Sequence, residues 1–212
     1  MLKAFLALQF AYLIGSVSGS LLLGRLRGID IRTLGSGNAG GTNALRTQGW
    51  RFALGTALID VSKGALAAWL AVRCVSPNNA QWLPWLAVLL ATAGHVWPVF
   101  HGFRGGKGAA TLTGGLLVVW PVAVVWLFVT WLLVIVLTGY VGLATMIAGL
   151  VLIVTSWCLQ VDAGTRIFSV LIALFLLYTH RSNISRLRAG NELRFERVRV
   201  LHRLFVGRRS HE

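Results

Sequence analysis

Residues 35–46 contain the residue types and the spacing that bind an anion. The segment reads GSGNAGGTNALR, in which four glycines alternate with hydroxyl and amide side chains and an arginine ends the run. Such glycines let successive backbone N–H groups turn toward one oxyanion, and the side chains add directed donors. Every polar side chain here can donate a hydrogen bond and none is acidic. This favours a phosphate site over a polar turn between two elements, and the candidate residues are Gly35, Ser36, Gly37, Asn38, Thr42, Asn43 and Arg46.

A second glycine-rich basic segment, GFRGGKG, occupies residues 102–108. The first segment is neither a Walker A loop, because no Gly-Lys-Ser/Thr follows its glycines, nor a GxGxxG turn that opens a βαβ unit. Two such loops on one face of a membrane would suit a phosphorylated ligand. Their backbone N–H groups would orient the phosphates, while arginine would bind through two parallel hydrogen bonds and lysine as a point charge. The candidate residues of the second loop are Gly105, Gly106, Lys107 and Gly108.

The composition that surrounds these loops is that of an integral membrane protein. Hydrophobic residues make up 56% of the chain and charged residues only 12%, and the mean hydropathy is +0.73. Most of the sequence lies in apolar runs close to the ~20 residues that cross a bilayer as a helix. The net charge of +14 comes from basic residues between those runs, where anionic lipid headgroups explain it better than nucleic acid does. We therefore predict one all-α polytopic domain over residues 1–190.

The spans can be counted from the apolar runs. Five lie near residues 3–23, 52–72, 82–100, 140–159 and 165–178. A further run of 29 residues, 109–137, would make a helix of about 43 Å against a hydrocarbon core of about 30 Å, so we expect it to break at Pro121 and to cross twice. Basic segments at 25–51 and after residue 180 should be cytoplasmic. The count predicts about seven spans with the N-terminus outside and the C-terminus in the cytoplasm.

Two segments lie outside this core. Residues 76–81 have turn chemistry and no charge, so we expect them on the outer face. Residues 191–212 alternate apolar side chains with arginines, which predicts a basic amphipathic helix on the anionic inner leaflet.

Ionisable residues inside the predicted spans are few. Asp60 and Lys63 stand at i and i+3 and can face each other, either as a self-satisfied pair that orients the helix or as part of a site. His95 is better explained as a packing histidine. His180 and Asn183, also at i and i+3, should project from one face at the end of the last span.

Four segments together resemble the PlsY family, bacterial membrane acyltransferases that acylate glycerol 3-phosphate with acyl phosphate as donor. They are residues 35–46, DVSKG at 60–64, GHVWPVFHGFRGGKGAAT at 94–111 and HRSNISRLRAGNE at 180–192. Their order and spacing agree with the family from about residue 15 to residue 192. The resemblance implies a seven-helix protein of the inner membrane with its active site at the cytoplasmic face.

The resemblance also implies roles for individual residues. The first loop would hold glycerol 3-phosphate and the second a phosphate. In a third motif, at residues 139–145, Thr145 keeps the last hydroxyl, while the basic residue and the first serine of the family pattern are absent. The implied catalytic residues are Ser36, Arg46, Lys107 and His180, and the implied substrate-binding residues are the remaining loop residues named above with Thr145 and Asn183.

The implied reaction makes lysophosphatidic acid and phosphate by acylating the sn-1 hydroxyl, as the first step of phospholipid synthesis. An acyl phosphate already has a good leaving group, so the enzyme mainly places the reactants and neutralises their charge. The attacking hydroxyl could lose its proton to His180 or to a substrate phosphate, whose second pKa is near ~6, and the phosphate is slightly favoured.

Other expectations complete this interpretation. No cofactor or metal is expected, since no His/Cys cluster has ligand spacing. Expected partners are glycerol 3-phosphate, acyl phosphate, the anionic bilayer and the soluble enzyme that makes acyl phosphate.

Two other functions stay open from the residues alone. One is a phosphate or organophosphate transporter, which would need polar groups on the outer face and usually an internal repeat; the other is a structural protein whose loops bind lipid headgroups.

Overall fold

The computed structural model of the chain describes residues 2–75 and 82–196, and all regular structure in these two ranges is helical. This confirms the all-α fold. Four helices are long and apolar enough to cross a membrane, and six candidates result if each of two bent pairs counts as one span. The helices are α1 Leu2–Gly15, α2 Gly19–Leu26, α3 Gly41–Gln48, α4 Trp50–Cys74, α5 Leu83–Val96, α6 Ala109–Val119, α7 Pro121–Thr138, α8 Val141–Cys158, α9 Ala163–Thr179 and α10 Arg181–Arg188, with short 3-10 turns at Ile31–Thr33 and Val99–His101.

The predicted break of the long apolar run lies where proline requires it. Helix α6 ends at Val119 and α7 begins at Pro121. Helix α6 has 11 residues, about 16 Å, and is too short to cross a core of about 30 Å. The count of about seven spans and the orientation of the termini therefore stay predictions.

The first predicted span is not one helix. Helices α1 and α2 meet at an angle of 49°, and the backbone at the break is bound by side chains of α4. Lys63 Nζ donates to the Val17 carbonyl at 2.6 Å, and the Gly19 N–H donates to Asp60 Oδ1 at 3.1 Å. Since these backbone groups have partners outside their own helix, the helix can end and restart here.

The chain divides into two compact units, Met1–Val124 and Val125–Glu212. In the first unit, glycines bring helices into backbone contact, as small residues do in membrane proteins. A Cβ on Gly15 would overlap the Ala91 carbonyl, and one on Gly19 would lie 2.7 Å from the Thr56 carbonyl oxygen. Gly15 and Gly19 therefore allow close helix packing.

In the second unit, α8 packs on α9, and α10 leaves α9 at a bend of 56°. The residues that follow, 191–196, contain no α-helix. There the Phe195 N–H donates to the Gly139 carbonyl at 2.9 Å, and the Arg194 guanidinium lies over the Tyr140 ring. The predicted amphipathic helix is absent from residues 191–196. Its remaining residues, 197–212, lie outside the described residues. So do residues 76–81, which were predicted to lie on the outer face.

Candidate active site

The first glycine-rich loop is held in shape by Asn43. This side chain is 1% exposed. Its Oδ1 accepts the Ser36 N–H at 2.9 Å, and its Nδ2 donates to the carbonyls of Ile31 at 3.1 Å and Leu34 at 2.9 Å. A buried amide with three backbone partners fixes the path of the chain. Asn43 was predicted to bind substrate. In the structure its side chain fixes the backbone of Ser36.

Gly35 makes this arrangement possible. Its φ is +56°, in the left-handed region, and a Cβ there would overlap Asn43 Oδ1. Only glycine combines that conformation with that approach. The spacing of the loop glycines therefore reflects the packing of Asn43 as well as ligand chemistry.

The first loop leads into the N-terminus of α3. Gly40 is the N-cap of α3 and, as a glycine, has no side chain that could cap the helix. The Asn38 amide lies over this end, with Nδ2 2.7 Å from where a Cβ on Gly40 would be. Thr42 and Arg46 follow at i and i+4, on one face of α3. A helix start that carries donor side chains and the positive end of a helix dipole is suited to an anion.

The second loop is bound to the end of α5. The Gly105 N–H donates to the Val96 carbonyl and the Gly106 N–H to the His95 carbonyl, both at 3.1 Å. These two N–H groups are used within the protein, which differs from the expectation that they orient a phosphate. The loop ends at Gly108, whose φ is +91° and which is the N-cap of α6. Lys107 therefore lies directly before a second helix start.

The two loops are in contact. A Cβ on Gly106 would lie 3.0 Å from the carbonyl oxygen of Ala39. Helix α3 begins two residues after Ala39 and α6 three residues after Gly106. The donor-rich ends of both loops therefore share one region of the first unit.

Arg32, which sequence reasoning did not select, ties the same two segments together. Its guanidinium binds the Asp30 carboxylate at 2.7 Å and donates to the carbonyls of His101 at 2.9 Å and Arg104 at 3.2 Å. The side-chain hydrogen bond from Arg32 holds the pKa of the Asp30 carboxyl below its usual value. The available signal was Asp30, the one acidic residue in the basic segment 25–51.

The second unit contains the other predicted site residues. His180 lies at the bend between α9 and α10, and its Nδ1 is 2.8 Å from the Leu176 carbonyl oxygen. Because a carbonyl only accepts, Nδ1 carries the proton and a neutral ring has its lone pair on Nε2. The Thr145 hydroxyl donates to the Val141 carbonyl at 3.0 Å.

Asn183 is placed by residues that sequence reasoning left out. Its Nδ2 donates to Glu192 Oε1 at 2.7 Å, and Glu192 Oε2 accepts from Arg186 Nε at 2.7 Å. A Cβ on Gly142 would overlap the Asn183 amide. Gly142, in the segment where the third motif departs from its family pattern, thus makes room for this side chain.

The chain is similar to glycerol-3-phosphate acyltransferases along almost its whole length. The glycerol-3-phosphate acyltransferase family matches residues 5–190. A relative with that name from Thermus thermophilus is 43% identical over 203 residues, which cover 93% of this chain and 98% of the relative. Another from Chlorobium limicola is 38% identical over 228 residues, covering 92% and 97%.

Two solved structures have the same fold. Both are crystal structures of PlsY, an integral membrane glycerol 3-phosphate acyltransferase, and each is 33% identical to this chain. The glycerol 3-phosphate form gives a TM-score of 0.86 over 93% of this chain and 98% of that chain. The lysophosphatidic acid form gives 0.84 over 94% and 98%.

Proposed function

The chain belongs to the glycerol-3-phosphate acyltransferase family and is an integral membrane acyltransferase, and we propose that it transfers a fatty acyl group from acyl phosphate to the sn-1 hydroxyl of glycerol 3-phosphate. The products are lysophosphatidic acid and phosphate, the first step of phospholipid synthesis. The contact between Gly106 and Ala39 is the observation that supports this proposal, because it brings two loops that carry donor and basic side chains against each other. Family membership sets aside the transporter and the structural protein.

The reaction requires one site that neutralises two phosphorylated substrates. Arg46 and Lys107 supply the positive charge, the arginine through paired hydrogen bonds and the lysine as a point charge. The Ser36 hydroxyl and the Asn38 amide direct the phosphates, and the starts of α3 and α6 add their helix dipoles. Glycerol 3-phosphate is the ligand in the name of one solved relative, which supports it as the acceptor here.

The chemical step makes one bond and breaks one. The sn-1 oxygen attacks the acyl carbonyl carbon, and the intermediate collapses when the bond from that carbon to the phosphate oxygen breaks. The phosphate leaves with the electron pair. Since this leaving group is already good, placement and charge neutralisation account for most of the catalysis.

The proton of the attacking hydroxyl goes to a phosphate oxygen of a substrate, whose second pKa is near ~6. His180 is the competing acceptor, and the hydrogen bond from its Nδ1 to Leu176 supports that role by leaving the lone pair on Nε2. Replacement of His180 separates the two. Thr145 and Asn183 complete the proposed substrate-binding set.

We propose the bacterial inner membrane as the location, with the site facing the cytoplasm. The basic residues of segment 25–51 and of the chain after residue 180 support that orientation. Acyl phosphate would be delivered there by the soluble enzyme that makes it, and residues 191–212 would contact the anionic leaflet.

The decisive experiment is an assay of the purified full chain in anionic vesicles. Glycerol 3-phosphate is supplied with acyl phosphate in one reaction and with the acyl-CoA of the same chain length in another, and lysophosphatidic acid is measured by mass spectrometry. We expect product from acyl phosphate alone, acylated at sn-1. Product from acyl-CoA alone would contradict the proposed donor, and an sn-2 product would contradict the proposed position.

A further inference from the structure

A buried cluster of three ionisable side chains, Asp60, Lys63 and His95, adjoins the second loop and has no part in the reaction described above. Their exposures are 1%, 5% and 3%. Lys63 Nζ lies 2.8 Å from Asp60 Oδ1 and 2.8 Å from His95 Nδ1. With the carbonyl of Val17, these partners use all three donors of the ammonium group.

This geometry sets the tautomer of His95. His95 Nδ1 lies 2.8 Å from Lys63 Nζ and 3.4 Å from Asp60 Oδ1. The shorter contact is with an ammonium group, which only donates, so we assign Nδ1 as the acceptor and the ring proton to Nε2. Asp60 balances the charge of Lys63, which leaves a neutral imidazole in a neutral cluster. The ring has one defined donor, and that donor is on the side away from Lys63.

The Nε2 side of the ring lies against the second loop. A Cβ on Gly106 would overlap His95 Nε2 and would lie 3.0 Å from Cε1. The carbonyl of His95 accepts the Gly106 N–H. His95 therefore contacts Gly106 in two ways, through a backbone hydrogen bond and through the close approach of its ring, one residue before Lys107 and at the contact with Ala39.

The cost of burying charge indicates a task beyond packing. An apolar pair of similar volume would join two helices as well as a buried ion pair does. A pair that only oriented α4 would also need no third member. Here Asp60 and Lys63 hold the His95 imidazole, whose Nε2 faces the second loop, the proposed phosphate-binding loop.

We propose that His95 is a positioning residue, locked by Asp60 and Lys63, that holds the second loop so that Lys107 and the start of α6 face a substrate phosphate. The inference rests on the proposed function and deepens it. A loop held less firmly binds phosphate less well, so the effect belongs in KM. A residue that only supported folding would lower the amount of active protein and leave KM unchanged.

The test compares His95→Gln with His95→Phe in the full chain. Glutamine keeps an N–H near the Nε2 position, and phenylalanine keeps the ring without a donor. We expect His95→Phe to raise the KM of at least one phosphorylated substrate tenfold or more, and His95→Gln to recover most of that loss. Thr56→Val is the matched control, because Thr56 is buried on the same helix as Asp60 and Lys63 and its hydroxyl donates to the Phe52 carbonyl of that helix.

A second pair of variants keeps the test decisive if His95→Phe does not fold. Gly106→Ala pushes a methyl group into the imidazole, and His95→Ala removes the obstacle, so the double variant should bind substrate better than the sum of the single effects predicts. Unchanged KM values in His95→Phe, equal losses in the phenylalanine and glutamine variants, or additive effects of Gly106→Ala and His95→Ala would each overturn the inference. Failure of the wild-type chain to form lysophosphatidic acid would instead contradict the proposed function.

Discussion

Gly106 lies against Ala39, so closely that a side chain on residue 106 would begin 3.0 Å from the Ala39 carbonyl oxygen. The contact joins the only two glycine-rich basic loops of the first unit, within the residues that the structure describes. Helices α3 and α6 both start beside this contact, and we propose that arginine, lysine and short polar side chains add to these two helix N-termini in one anion site.

Arg46→Lys tests the phosphate clamp. Lysine keeps the charge and loses the paired hydrogen bonds, so we expect the KM for glycerol 3-phosphate to rise about tenfold, or about 1.4 kcal/mol, with little change in thermal stability. Steady-state kinetics and a melting curve measure both. Arg51→Lys is the control, since Arg51 lies over the Trp50 ring at 5.5 Å; an unchanged KM in Arg46→Lys would remove Arg46 from the site.

Asn43→Ala and Asn38→Ala should fail in different ways. Loss of the buried Asn43 amide removes the acceptor of the Ser36 N–H and one donor each from the carbonyls of Ile31 and Leu34, so we expect destabilisation of about 1–3 kcal/mol and a lower melting temperature. Asn38→Ala should raise the KM for glycerol 3-phosphate and leave the melting temperature unchanged. The reverse pattern would show that Asn43 is the ligand and Asn38 the structural residue.

The structural residues of the site were harder to predict than its charges. The break at Pro121 follows from a local constraint, and so could be predicted from the residues around it. The break after Gly15 depends on Asp60 and Lys63, which lie more than forty positions away. The residues next to the break therefore do not predict it.

Glycine spacing likewise does not tell which N–H groups face a ligand. Those of Gly105 and Gly106 are used by the end of α5, a contact that depends on tertiary packing. The same holds for Glu192 and Gly142, which adjoin the Asn183 side chain. Glu192 follows it by nine residues and Gly142 precedes it by more than forty, and neither distance is a helical period.

Arg32 should hold the second loop in place, and Arg32→Gln should release it. We expect faster amide hydrogen exchange at residues 101–105, because the carbonyls of His101 and Arg104 lose their donor. Arg25→Gln, in the same basic segment, is the control. Equal exchange in Arg32→Gln and the wild-type chain would show that this tie contributes nothing.

The ion pair of Asp30 should not respond to pH in the neutral range. A carboxyl whose pKa is lowered in the folded state stabilises that state at pH values above its unfolded pKa of about 3.9, and the contribution is lost as the pH falls through the lowered value. Exchange at residues 101–105 should therefore be the same after correction for intrinsic rates at pH 6 and pH 8. Asp30→Asn at pH 7 should increase it, and no increase would contradict the role of this pair.

His180→Gln identifies the proton acceptor. If a substrate phosphate takes the proton, turnover should fall but stay above about a hundredth of the wild-type rate, within the range of positioning effects. A larger fall, together with loss of the lower limb of the pH–rate profile, would assign the proton to His180 Nε2. The measurement is kcat from pH 5.5 to 8.5 with both substrates saturating.

The central claim, that both loops serve one site at one face of the membrane, is tested most directly by the sidedness of thiol labelling. Single cysteines at Thr33 and Arg104, exposed positions beside the two loops, are introduced into a chain with Cys74 and Cys158 replaced by alanine. Gly164→Cys is added in the segment between the predicted spans 140–159 and 165–178, which the span count predicts on the outer face. In sealed vesicles of known orientation, a membrane-impermeant reagent should modify positions 33 and 104 from the cytoplasmic side and position 164 from the other. Modification of positions 33 and 104 from opposite sides would contradict the account.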